Sequence, residues 1–263
     1  MNNSINSELI FEGFNAVKSA ICGIESEITQ RTCLRVLFSK KRISKKNYEL
    51  SWLKGRAATH GYEIVICDED DVSAVCSTDT HGGIVGFFSD RAAGSVQELV
   101  RIAADKADSW FLALEGIEDP YNLGFTIRSA YAFGCAGIVL PNRYIFGADG
   151  VVCRSSAGAS ERIPFFRCDL SDAARALRGV GYSVCAACEK DAVSLAEHSL
   201  TLPLMLVVGG EKRGISSSLL SECTDRIRID YSRYAGSSLS AVSAAAVLSY
   251  EIAEKNGKLI KND

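Results

Sequence analysis

Five consecutive apolar residues, Leu204-Met205-Leu206-Val207-Val208, run directly into Gly209-Gly210, and they constrain the fold more than any other feature of the chain. A strand with one wet face alternates apolar and polar side chains. A strand that stays apolar at every position is covered on both faces, as in a parallel sheet sandwiched between helices. Further strands are expected at 110–114, 137–140, 163–166, 182–186 and 226–229. Helical spacing separates them at 122–133, around Asp149, and at 171–178, 216–222 and 239–255. The expected class is therefore α/β with a mostly parallel sheet. In such sheets ligands bind outside the carboxyl ends of the strands, so the segments after Leu114, Val208 and Ile229 are the places to search.

The first third has shorter elements: helices at 6–21, 46–60 and 70–76, and strands at 34–38, 62–67 and 84–88. This reads as a small α/β domain over 1–90. Residues 91–107 read as a linker, with helical spacing at Val96, Leu99, Val100 and Ala103, and 108–263 as the larger domain. A chain of 263 residues is long enough to bury two cores. Met1 to Gly13 lacks a basic start followed by an apolar run, and no stretch approaches the roughly 18 apolar residues of a membrane span. A cytoplasmic protein without a membrane partner is expected. Ten cysteines scattered among apolar neighbours fit reduced thiols. Cys185 and Cys188 have C-x-x-C spacing, but there is no second pair, and His60, His81 and His198 show no ligand spacing. A buried, inert pair and no metal are expected.

The formal net charge of −3 hides an uneven distribution. Nine basic residues and one acid, Glu49, lie between Arg31 and Arg56, making that stretch +8 and the remainder −11. Clustered cations beside Tyr48 and Trp52 suit a nucleic-acid backbone with bases free to stack. Arg31, Arg35, Lys40, Lys41, Arg42, Lys45 and Lys46 are the candidate contacts. The plain alternative is a solvated helix face.

Neither G-x-G-x-x-G nor G-x-x-x-x-G-K-[ST] occurs, which argues against a standard dinucleotide fold and a P-loop. Three polar, glycine-bearing segments follow the strands instead. In the first, from Glu115 to Ala130, Asn122 is expected at a helix N-cap and Arg128 about two turns on. Arg128 has Phe125, Ile127, Ala130 and Tyr131 around it, and a buried guanidinium needs an anionic partner. In the second, from Val207 to Ser216, paired glycines let a ligand approach the backbone. Glu211 either accepts from that ligand or fixes Arg128; the alternative is a tight turn with a solvent carboxylate. In the third, from Ile229 to Ala246, Ser238 reads as an N-cap before a run of small residues. Such a face admits a close helix neighbour, in the same chain or across a dimer, or is simply alanine-rich helix.

These three segments, in this order, resemble the three motifs of the SpoU/TrmH family of RNA ribose 2'-O-methyltransferases in the SPOUT superfamily, over about 108–255. Upstream, Glu12-Gly13-Phe14-Asn15-Ala16-Val17 and His81-Gly82-Gly83-Ile84-Val85 resemble the small L30e-like RNA-binding domain that many members carry. The resemblance implies a deep trefoil knot, S-adenosylmethionine bound in a bent form, and a homodimer with shared sites. It further implies rRNA or tRNA as partner and no metal. Carried over by position, Asn122, Arg128, Glu211 and Ser238 form the catalytic group, and Gly209, Gly210, Ile229, Leu239 and Ser240 hold the cofactor. The implied reaction is methyl transfer to a ribose 2'-hydroxyl. Ser240 stands where the family usually has Asn, and Asp230 where it has Pro, so a catalytically silent RNA-binding protein is the main alternative. A small-molecule enzyme, for which the basic stretch is incidental, is the more distant one.

Overall fold

The computed structural model describes residues 8–142, 147–233 and 238–260. They divide into two compact units, one made of 8–92 with 147–162 and the other of 93–142 with the described part of 163–260.

The first unit begins with β1 (Leu9–Glu12), α1 (Phe14–Glu25), β2 (Cys33–Ser39), α2 (Asn47–His60), β3 (Glu63–Cys67), α3 (Glu69–Val75) and β4 (Ile84–Phe88). Its sheet has the order β1-β4-β2-β3; β4 is antiparallel to β1 and β2, and β2 is parallel to β3. The helix expected over 6–21 starts only at Phe14, because Leu9 and Phe11 alternate inward as a strand and Gly13, at φ 87°, turns the chain. Four residues are too few for periodicity to separate the two readings. Asn6 and Ser7 lie outside the described residues.

The chain continues through α4 (Val96–Ala104), β5 (Trp110–Glu115), α5 (Pro120–Ala132) and β6 (Gly137–Pro141) of the second unit. It then passes into the first unit for α6 (Asp149–Ser155). Back in the second unit it forms β7 (Phe165–Cys168), α7 (Leu170–Gly179), β8 (Ser183–Ala187), β9 (Val193–Ser194), β10 (Leu204–Gly209), α8 (Ser217–Leu220), β11 (Asp225–Arg228) and α9 (Ala241–Lys255). The sheet order is β7-β6-β5-β10-β8-β11-β9, and every neighbouring pair is parallel. From β5 the chain builds outward to β7, then crosses to β8. β10 later fills the place between β5 and β8, creating the topological switch point at which ligands bind in open α/β sheets.

Two expected boundaries differ. The stretch read as a linker contains α4, whose Leu99 and Ala103 are buried with Phe111, Phe166 and Met205 in the core of the second unit. Residues 147–162, read as part of a continuous larger domain, pack into the first unit. Gly150 lies so close to β1 that a Cβ would stand 1.9 Å from the Ile10 carbonyl oxygen. Asp149 and Glu161 are buried there with two arginines. Arg31 Nε bonds Glu161 at 3.0 Å and its Nη2 bonds Asp149, while Arg91 pairs with both acids. Arg31, expected on an RNA-facing surface, is therefore a core residue; proximity in sequence to Lys40 and Lys41 carried no information about burial. Among the described residues no helix is long and apolar enough to cross a membrane.

Candidate functional site

At the carboxyl ends of β8, β10 and β11 lies a cavity of about 610 Å³, lined by Gly209, Gly210, Glu211, Ile229, Ser238 and Leu239, with Val208, Ile215, Ile227 and Tyr231 in its walls. Six of the nine residues expected to act or to bind a cofactor thus meet in one place. Asn122, Arg128 and Ser240 are outside its lining.

The turn after β10 is built by backbone. Gly210 N–H donates to the Glu115 carbonyl at 2.7 Å, Gly214 N–H to the Gly210 carbonyl at 2.8 Å, and Ser216 N–H to the Glu115 carboxylate at 2.8 Å. A Cβ at Gly209 would stand 2.5 Å from the Gly214 carbonyl carbon, and one at Gly210 2.3 Å from the Gly116 carbonyl oxygen. The paired glycines are needed for this crossing of main chains, and both also line the cavity. Glu211, at the exposed end of the turn, has no hydrogen bond or ion pair among the described residues, so it does not fix Arg128 within the chain.

In the first segment Asp119, not Asn122, caps α5: its carboxylate accepts from Asn122 N–H at 2.8 Å, with Pro120 in the first turn. An acid before a proline is the stronger start signal. Arg128, expected to be buried, is exposed and unpaired among the described residues. It lies on the outer face of α5 with Phe125, 45% exposed, because Leu123, Ile127 and Ala130 occupy the inner face.

In the third segment Ser240 rather than Ser238 caps α9, its Oγ accepting from Ser243 N–H at 3.2 Å and donating to Ser243 Oγ at 3.1 Å. Ser238 is left free to face the cavity. The Tyr231 hydroxyl accepts from Leu239 N–H at 3.2 Å. The residues from Tyr234 to Ser237 lie outside the described residues. Glu115 and Tyr231 were not singled out from sequence; an acid closing an apolar strand just before a glycine was the available signal for the first.

The basic stretch is largely neutralised by acids of the first unit, among them its own Glu49. Arg35 forms a two-armed pair with Glu8, Arg42 pairs with Glu69 at 2.8 Å, Lys40 with Asp68 at 3.5 Å, and Lys46 with Glu49 at 3.9 Å. The Glu69 carboxyl, held by Arg42 and then Ser39, has its pKa lowered to about 2. Lys41 and Lys45 are exposed without an acidic partner among the described residues, and Tyr48 is 68% exposed near them in sequence. Of the C-x-x-C pair, Cys185 is buried in the sheet while Cys188 is half-buried at the cavity wall; burial raises both thiol pKa values.

Residues 109–250 match the model of the SpoU rRNA Methylase family. The chain belongs to the SpoU rRNA methylase family. An uncharacterized tRNA/rRNA methyltransferase of Mycobacterium tuberculosis is 32% identical to this SpoU-family chain over 76% of its length, and the match spans 62% of that relative. Among solved structures, an AdoMet-bound rRNA methyltransferase from Sinorhizobium meliloti superposes with a TM-score of 0.76 at 21% identity, covering 94% of this chain and 87% of that one. A structure described as an RNA 2'-O ribose methyltransferase gives 0.72 at 18% identity, covering 95% and 89%. At these identities the likeness establishes the SpoU-type fold.

Proposed function

We propose that this SpoU-family chain transfers a methyl group from S-adenosylmethionine to a ribose 2'-hydroxyl of rRNA or tRNA, as a homodimer in which each site draws on both chains. The observation that carries the reading is the cavity at the strand ends, where the second and third motif segments converge on one volume. Its size lies within the roughly 300–1,000 Å³ of small-molecule sites. Its chemistry fits the donor: Val208, Ile215, Ile227 and Leu239 offer apolar walls for a purine and a thioether chain, while Glu211 and Ser238 add polar groups. When bound there, S-adenosylmethionine supplies an electrophilic methyl group.

A ribose hydroxyl is a weak acid and a poor nucleophile, so the chain's own groups must align it, exclude water and assist loss of its proton. In this reading the Arg128 guanidinium holds the neighbouring phosphate and lowers the cost of the developing oxyanion, while Asn122, Glu211 and Ser238 orient the ribose or Arg128. Asn122 and Arg128 are exposed and do not line the cavity of their own chain. They reach the site in a dimer formed through the outer faces of α5 and α9, which pack side by side and expose Tyr121, Phe125, Tyr131, Val247 and Tyr250. An exposed apolar face of this kind is the surface a self-complementary two-fold contact covers. The knotted chain path belongs to the same proposal, and Lys41 and Lys45 are its RNA contacts in the first unit.

Calorimetric titration with S-adenosylmethionine tests the reading. Saturable micromolar binding is expected, and it should persist in Lys41→Glu/Lys45→Glu protein while RNA affinity falls and the log-log salt slope shrinks by about 1.5. No heat at millimolar donor supports the catalytically silent alternative, for which the specific observation is that the Ser240 hydroxyl is engaged in capping α9.

A further inference from the structure

We propose that Glu115 is the positioning residue of the donor cavity: it grips both ends of the 210–216 turn and so sets where Glu211 stands. The inference rests on the reading of that cavity as the methyl-donor site.

Glu115 is the last residue of β5 and lies in register with Gly209, the last of β10. Its main-chain carbonyl receives Gly210 N–H at 2.7 Å, and its side-chain Oε2 receives Ser216 N–H at 2.8 Å. One residue therefore holds the turn where it leaves the strand and where it enters α8. Between those points the turn is closed by the Gly210–Gly214 bridge and by the absence of any space for a side chain at Gly209 or Gly210. Glu211 has no side-chain anchor of its own among the described residues, so its direction follows from the main chain that Glu115 holds. Glu115 does not line the cavity. Removing its carboxylate takes away no contact with a bound donor, only the anchor of the turn.

A carboxylate accepting a main-chain N–H makes a charge-assisted bond, stronger than a neutral one. It also satisfies Ser216 N–H just outside the first turn of α8, where Ser216 Oγ in turn accepts from Leu219 N–H at 3.4 Å. The span requires a side chain of this length. Gln presents an oxygen at the same reach, whereas Asp, one methylene shorter, does not. Glu115 also opens the segment that continues into α5, so the strand that places Arg128 also fixes the turn that carries Glu211.

The test compares Glu115→Gln, Glu115→Asp and Glu115→Ala in the full chain. The readouts are S-adenosylmethionine affinity by calorimetry, amide hydrogen exchange at Gly214 and Ser216 without ligand, and thermal midpoint. Loss of the acceptor that holds Ser216 N–H should weaken donor binding by about tenfold or more in the Ala and Asp proteins, with faster exchange at Ser216. The Gln protein should keep both properties near wild type, and the midpoints should move little. Wild-type affinity and exchange in the Ala protein would overturn the assignment, as would a Gln protein as impaired as the Ala protein. A wild-type protein that binds no donor defeats the proposed function instead, and the exchange measurement still decides whether Glu115 holds the turn.

Discussion

Protein carrying Arg128→Ala and protein carrying Glu211→Ala should each be almost inactive in methyl transfer, and mixing the two with time for chain exchange should restore activity. Glu211 lines the cavity of its own chain, and Arg128 stands on the outer face of α5 outside that cavity. If each site combines the cavity of one chain with α5 of the other, a mixed dimer contains one site with both residues intact and one lacking both. Random exchange then yields about a quarter of wild-type activity, since half the dimers are mixed and half their sites are whole. Each parent should sit about 10²–10³-fold below wild type, the usual loss for one charge-stabilising group. Sites built within single chains would show no recovery. Methyl transfer on an RNA substrate, before and after mixing, separates the two results.

Arg31→Ala should lower the stability of the folded protein by about 3–5 kcal/mol, because it leaves Asp149 and Glu161 buried with half their compensation. The Arg31 side chain is fully buried. Burial works against its charge, but the Glu161 and Asp149 carboxylates outweigh that penalty and hold its pKa above the usual value. Arg91 remains beside the same two acids, so the loss exposes an imbalance rather than an isolated ion. The quartet binds residues 147–162 into the first unit, so a fragment ending at residue 92 would lack both acids and should not fold. Denaturant unfolding of the full chain measures the effect, with Lys41→Ala as an exposed control expected within about 0.5 kcal/mol. A loss below about 1 kcal/mol for Arg31→Ala would contradict this account of the segment.

Local pattern carried much of the architecture. The unbroken apolar run at 204–208 indicated a strand covered on both faces, and β10 is central in the parallel sheet. The glycine and serine segments after β10 and β11, singled out from sequence, come together in the structure: Gly209, Gly210, Glu211, Ile229, Ser238 and Leu239 all line one cavity. Properties that depend on distant partners were not legible. Nothing near Arg31 in sequence announces Asp149 and Glu161, more than a hundred residues away, so a buried cation looked like part of a basic surface. The apolar neighbours of Arg128 suggested burial, but helical geometry puts Phe125 outside with it while Leu123 and Ile127 turn inward. The caps shifted for a simpler reason: Asp119 before Pro120, and Ser240 rather than Ser238, satisfy the free N–H groups of the helix starts.

The most direct test of the central claim uses donor labelled in its methyl group and cellular RNA, followed by alkaline hydrolysis of the product. A methylated 2'-oxygen can no longer attack the adjacent phosphate, so that linkage survives alkali, whereas RNA methylated on a base is cut to mononucleotides. Ribose methylation puts label in alkali-resistant dinucleotides with wild-type protein, and that label should be lost with Arg128→Ala. Label confined to mononucleotides, or equal labelling by both proteins, would contradict that claim.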